Sequence, residues 1–165
     1  MFNIGEYVVY GNVGVCEVEE ICTPEFMEAS EDKLYYVLKA LYANSGTIYT
    51  PVENPKVTMR AIIGKEDVDT LIESIPSIEV EWISNDRRRT EIYRDAIRSC
   101  DCDGLMKVIK NLYARKQERV AVGKRLSLVD ERQLSSAVEF LHGELAVALG
   151  IDKEEVEAYI AAQVS

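Results

Sequence analysis

Arg87, Arg94 and Arg98 are spaced at i, i+7 and i+11, so a helix would stack them on one stripe within about 40°. Guanidinium groups aligned in this way suit the repeating phosphates of a nucleic-acid backbone. They belong to a wider basic island. Residues 85–125 hold 12 of the chain's 19 Lys and Arg with six acids, a net charge of +6, while the two flanks together carry −16. Such an island attracts phosphate locally while the rest of the molecule repels it, which favours a weak, directional contact that depends on a second partner. The competing reading is local pairing: Glu91 stands at i+4 from Arg87 and Asp95 follows Arg94, and exposed pairs of this kind are worth only tenths of a kcal/mol. Lys107, Lys110, Arg115, Lys116, Arg119, Lys124 and Arg125 extend the excess over a second helix and a turn, beyond what such pairing uses. Trp82, the single tryptophan, lies just ahead of Arg87-Arg88-Arg89. It either stacks on an unpaired base or wedges into a duplex step, or it pins the adjoining linker to the helices.

Other chemistry finds little support. His142 is the single histidine and has no second histidine with which to form a metal pair. Cys16, Cys22, Cys100 and Cys102 lack CxxC spacing and read as separate reduced thiols. Gly5, Gly11 and Gly14 precede strands rather than a helix, so they do not make a phosphate loop. The acids of Glu17-Val18-Glu19-Glu20 and Glu154-Glu155 read as solvated faces. No convergent set for a hydrolase emerges, and the expectation is a non-enzymatic protein without metal or cofactor. There is no run of about 18 apolar residues, and Met1 to Gly5 lacks the features of a signal peptide, so a cytoplasmic protein with no membrane contact is expected.

The elements that must position the island follow from periodicity. With 165 residues and 47% hydrophobic content, the chain can bury one medium core or two small ones. Tyr7 to Tyr10, the turn-forming Gly11-Asn12-Val13-Gly14, and Val15 to Ile21 read as a hairpin. A polar segment from Pro24 to Asp32 leads to a strand over Leu34 to Leu38. Asn44-Ser45-Gly46 is a turn, Thr47 to Thr50 a strand ended by Pro51, and Val57 to Ile62 a fifth run. Five short strands in so few residues imply a small, strongly bent sheet or barrel. After Gly64 the period becomes helical. Val68, Leu71, Ile72 and Ile75 mark a short helix ended by Pro76, and Ser77 to Asn85 reads as a linker. A helix over Asp86 to Ser99 would bury Ile92, Ala96 and Ile97. Asp101 or Asp103 begins another, with Leu105, Val108, Ile109 and Leu112 inward. Ser127 to Asp130 has capping-box spacing for a helix that Gly150 closes, and Asp152 caps a last one carrying Val156, Tyr159 and Ile160. The fold class is α+β, a β module followed by a helical bundle.

Taken in order, certain residues resemble the CarD/CdnL family of bacterial RNA polymerase-binding transcription regulators over almost the whole chain. The carriers are Gly5-Glu6-Tyr7-Val8-Val9-Tyr10 with Gly14-Val15, Tyr35 to Lys39, Pro51-Val52-Glu53-Asn54, Leu112-Tyr113 with Gln117-Glu118-Arg119, Leu126-Ser127 with Asp130-Glu131-Arg132, and Gly143 to Ala146. The resemblance implies a five-stranded Tudor/SH3-like β-barrel over 1–63 that docks on the RNA polymerase β subunit. A short helix and linker over 64–85 would follow, then a helical domain over 86–165 that contacts promoter DNA at the upstream edge of the transcription bubble. The family's wedge tryptophan falls on Asp86, a following basic position falls on Glu91, and Arg88 and Arg89 match family arginines. Positions where some members present arginines to polymerase fall on Pro24 and Tyr49. On this reading Ile48, Tyr49, Thr50 and Pro51 meet polymerase. Arg87, Arg88, Arg89, Lys124, Arg125 and Arg132, with Trp82 as the possible wedge, meet DNA weakly and largely without sequence preference. The protein is expected to act as a monomer on open-complex stability. The alternative is a protein-only adaptor whose basic face binds an acidic partner.

Overall fold

A computed structural model describes residues 1–11, 13–24, 33–42, 46–53 and 57–164. Asn12, Asn44 and Ser45 of the expected turns, the polar segment after Pro24 as far as Asp32, and Asn54 of the family-like motif lie outside the described residues. The chain divides into two compact units, Met1–Ile62 and Ile63–Ser165.

In the first unit the strands β1 (Tyr7–Tyr10), β2 (Gly14–Cys22), β3 (Tyr35–Ala40), β4 (Thr47–Pro51) and β5 (Met59–Ala61) form one antiparallel sheet in the order β4-β3-β2-β1-β5. Alternation sets its inner face. Val8 opposes Cys16 and Val18 opposes Leu38, and all four are buried with Tyr36 and Ala40. The pairing shifts between Val18 and Glu20, a bulge that lets Glu19 and Glu20 both face solvent before Ile21 meets Tyr36. That extra residue breaks the alternation in the second half of β2. Phe2 packs edge-on against Tyr36 with ring centroids 5.9 Å apart, and its N–H donates to the Tyr36 hydroxyl at 2.9 Å.

The second unit contains α1 (Lys65–Glu73), α2 (Asp86–Ser99), α3 (Cys102–Ala121), α4 (Leu128–Leu149) and α5 (Val156–Val164). Polar caps start three of them. Asn85 accepts from the Arg88 N–H, Asp101 from the Gly104 N–H and Ser127 from the Asp130 N–H. Gly150, at φ +70°, ends α4. The turn between α2 and α3 places Cys100 at φ +51°, a left-handed position that glycine usually fills. At the other end Asp152 opens a 3₁₀ turn over Lys153–Glu155 and makes no side-chain cap, so α5 begins only at Val156.

Leu105, Val108 and Leu112 of α3 and Leu134, Ala137, Leu141 and Leu145 of α4 form the centre of this core. The segment 64–85 belongs to it too: Val68, Leu71 and Ile72 are buried there, and Ile78 and Ile83 pack against it. One expectation for α2 is corrected. Ile92 is exposed, and Arg89 and Tyr93, four residues apart, take the inward line. A charged residue can hold that place because a carboxylate from α4 meets it. Two other polar residues face inward. Asn111 accepts from the Glu81 N–H at 2.6 Å, and Glu144 accepts from the Ile63 N–H at 2.8 Å and from the Cys102 thiol at 3.3 Å.

Truncating Leu141 to alanine should lower stability by roughly 2–5 kcal/mol through reduced burial and a residual cavity. Urea unfolding followed by circular dichroism measures it.

Candidate nucleic-acid interface

The basic island divides into one buried and several exposed groups. The Arg89 side chain is 4% exposed and Asp130 is 1% exposed. Arg89 Nε donates to Asp130 Oδ1 at 3.3 Å, and Nη2 donates to Asp130 Oδ2 at 3.1 Å, a two-point contact between α2 and the first turn of α4. The same Nη2 reaches Asp86 Oδ1 at 2.8 Å, and Nη1 donates to the Ile83 carbonyl at 3.1 Å. Arg115 of α3 completes a ring of alternating charge, with Nε 3.3 Å from Asp130 Oδ2 and Nη2 3.7 Å from Asp86 Oδ1. Burial opposes the charge of Arg89, but its bonds to Asp130 and Asp86 outweigh that and raise its pKa above the ordinary value. The hydrogen bond and charge of Arg89, helped by Arg115 and Arg119, hold the Asp86 carboxyl below the ordinary range.

This geometry corrects Arg89 as a phosphate contact, because its donors are committed inside the fold. It also refines the capping box. Ser127 caps α4 as expected, but the Asp130 carboxylate turns inward to the two arginines. Asp86 is the outer, exposed carboxylate of the ring.

Lys110 is half-buried and its Nζ donates to the Ile75 carbonyl at 2.6 Å, while the other cations expected to meet DNA face solvent. Arg87 pairs with Glu91 at 3.4 Å, but both side chains are largely exposed, so solvent screens the pair. Arg88, Arg94 and Arg98 are exposed along α2, Lys124 and Arg125 in the turn between α3 and α4, and Arg132 on α4 beside Glu131. Gly123, at φ +75°, shapes that turn, and the Arg119 Nε donates to the Arg125 carbonyl. Trp82 is 60% exposed. The backbone on either side of it is fastened, Glu81 to Asn111 and Ile83 to Arg89, so pinning this stretch does not depend on the indole. The burial of Asn111, Asp130 and Glu144 is not evident from the sequence, where only the polar interruption of the inner stripes signals it.

In the first unit, β4 is a terminal strand of the sheet ladder and pairs with β3. Tyr49 is exposed, and Ile48 and Pro51 are half-buried. Thr50 is 1% exposed, which corrects it as a side-chain contact; it lies on the inner face opposite Tyr36. Pro24 is buried. His142 is half-buried on α4, and burial lowers its pKa. The four cysteines are thiols.

A small antiparallel β unit joined to a helical unit with an exposed cationic face is the architecture that family comparison then specifies. Residues 2–63 match the CarD-like/TRCF RID domain, and residues 70–161 match the CarD C-terminal domain. The chain belongs to the CarD family. It is similar to a protein of Bacillus subtilis (strain 168) named "Putative transcription factor YdeB", with 24% identity over 159 residues, 96% of this chain and 99% of that protein. Among the described residues, no single helix is long and apolar enough to cross a membrane.

Asp130→Ala would leave Arg89 buried without its principal counter-charge, and should cost roughly 3–5 kcal/mol in urea unfolding. Combining it with Arg89→Met should restore much of that stability, since the two effects are strongly coupled. At neutral pH the wild type should exceed Asp86→Asn in melting temperature. The difference should close as pH falls through the depressed folded-state pKa of Asp86, because a protonated Asp86 loses its attraction to Arg89. Melting curves across the acid range measure both variants.

Proposed function

We propose that this protein is a transcription regulator that brings its helical unit to promoter DNA by docking its β unit on the β subunit of RNA polymerase. The observation that carries the reading is the pair of CarD-family domain matches, in order along the chain. The charge map supports it. Arg87, Arg88, Lys124, Arg125 and Arg132 are exposed on an otherwise acidic molecule, suited to phosphate contacts that position rather than specify. Docking through β4, with Tyr49 outward and Ile48 and Pro51 beside it, would raise the local DNA concentration, so low intrinsic DNA affinity suffices. The DNA contact lies near the upstream edge of the melted region, where it changes the stability of the open complex. Catalysis plays no part.

Replacing Arg87 and Arg88 by alanine should weaken the promoter effect and reduce the salt slope of DNA binding by about 0.9 for each phosphate no longer neutralised. In vitro transcription and fluorescence anisotropy across salt concentrations measure the two effects. Unchanged values would favour an acidic protein as the partner of this face. Tyr49→Ala should weaken capture of the isolated β subunit by the full-length protein, with the folded circular-dichroism spectrum retained.

A further inference from the structure

Ile92 on α2 is 40% exposed, and it forms part of the wall of a cleft of about 630 Å³. The cleft lies within the helical unit, between residues 74–83, α2 and α3, and its volume falls in the range of ligand sites, roughly 300–1,000 Å³. Ile78 and Ile83 from the first segment, Ile92 and Ala96 from α2, and Val108 from α3 give it apolar surface on all three sides. Tyr93 lines it too. That residue is 6% exposed, and its hydroxyl has no hydrogen-bond partner among the described residues. Because the hydroxyl is not among the sealed polar atoms, an occupant of the cleft can reach it. Burial raises its pKa above the ordinary value, so it stays a phenol ready to donate.

One wall of the cleft is backbone without regular pairing. Residues 78–83 belong to no helix or strand. The Glu81 N–H is tied to Asn111 and the Ile83 carbonyl to Arg89, but the backbone groups of Glu79, Val80 and Trp82 make no hydrogen bond among the described residues. Free backbone of this kind can pair with an extended chain, while pockets beside it take alternate side chains. Charge selects the chain. Among the described residues lining the cleft, Glu79, Glu81 and Asp103 stand against one base, Lys107, a helical turn from Asp103. At the margins Arg88 is offset by Asp95, Lys110 is tied to the Ile75 carbonyl, and Glu73 and Asp101 add negative charge. The stripe of Arg87, Arg94 and Arg98 faces elsewhere: at 100° per residue it lies about 160–180° around α2 from Ala96.

We propose that this cleft docks an extended segment of a protein partner in which apolar side chains alternate with lysine or arginine. The apolar side chains enter against Ile78, Ile92 and Val108. A backbone carbonyl of the segment accepts from the Tyr93 hydroxyl, and its basic side chains meet Glu79, Glu81 and Asp103. The same carboxylates repel nucleic acid from this side. A folded second copy presents its exposed cations on helices and a turn, convex surfaces that do not thread into a cleft walled by extended backbone. The helical unit thus carries a protein-binding site on the side of α2 away from the exposed arginine stripe, and the two sides can be occupied at once.

The test titrates the full-length protein at low salt with a capped five-residue peptide alternating lysine and leucine, read by isothermal titration calorimetry. Saturable binding is expected, and exchanging the peptide's lysines for glutamates or its leucines for serines should weaken it by about tenfold or more. Ile92→Lys, at an exposed position, and the pair Glu79→Gln with Glu81→Gln should each weaken the lysine–leucine peptide by about tenfold, with the folded circular-dichroism spectrum retained. Tyr93→Phe should weaken it roughly two- to tenfold without lowering the melting temperature, because the free protein loses no hydrogen bond. Arg94→Ala, on the far side of α2, should bind as the wild type does. Equal affinity for the lysine–serine peptide, or full affinity in Ile92→Lys, overturns the cleft in favour of diffuse charge attraction. Absence of saturable binding at millimolar peptide overturns the proposal outright. Self-association in sedimentation that Glu79→Gln with Glu81→Gln abolishes overturns it in favour of a second copy.

Discussion

The contact between Arg89 and Asp130 is the constraint on which the basic end of the helical unit depends. A guanidinium and a carboxylate removed from water bear a desolvation cost that their attraction offsets only with good geometry and further bonds. Here Asp130 meets two arginines, and Arg89 meets two carboxylates and the Ile83 carbonyl. A hydrophobic pair of similar volume could fill the same space with comparable stability. It could not tie α2, α3, the start of α4 and the stretch bearing Trp82 into one arrangement. The buried charges serve specificity of placement, and the exposed arginines inherit it.

That division sorts a run of three arginines into different duties. Arg87 and Arg88 are exposed, whereas Arg89, one residue on, turns into the core. Helical geometry makes this unavoidable, since each residue turns about 100° from the last and a run of three cannot share one face. A similar economy operates in the β unit. Tyr49 and Thr50 are neighbours on β4, yet one meets solvent and the other the inner face, because strand side chains alternate.

Much of this is legible in the amino-acid sequence. The hairpin, the order of five strands and then helices, the caps at Ser127 and Gly150, and the family all follow from local spacing and motif order. The errors arise where distant residues override local preference. Hydropathy sends Ile92 inward and Arg89 outward, and a carboxylate 41 residues away reverses both. The bulge at β2 likewise depends on its register with β3. In the candidate site, the presence of cations is readable and their exposure is not.

The ring of Asp86, Arg89, Arg115 and Asp130 has a consequence for behaviour in heat. The hydration of charged groups becomes less favourable as temperature rises, so the penalty for keeping Arg89 and Asp130 dry diminishes on warming. Apolar burial gains no comparable relief. As temperature climbs, the net cost of the ring falls while apolar stabilisation levels off, so the ring takes a growing share in holding the helix starts together.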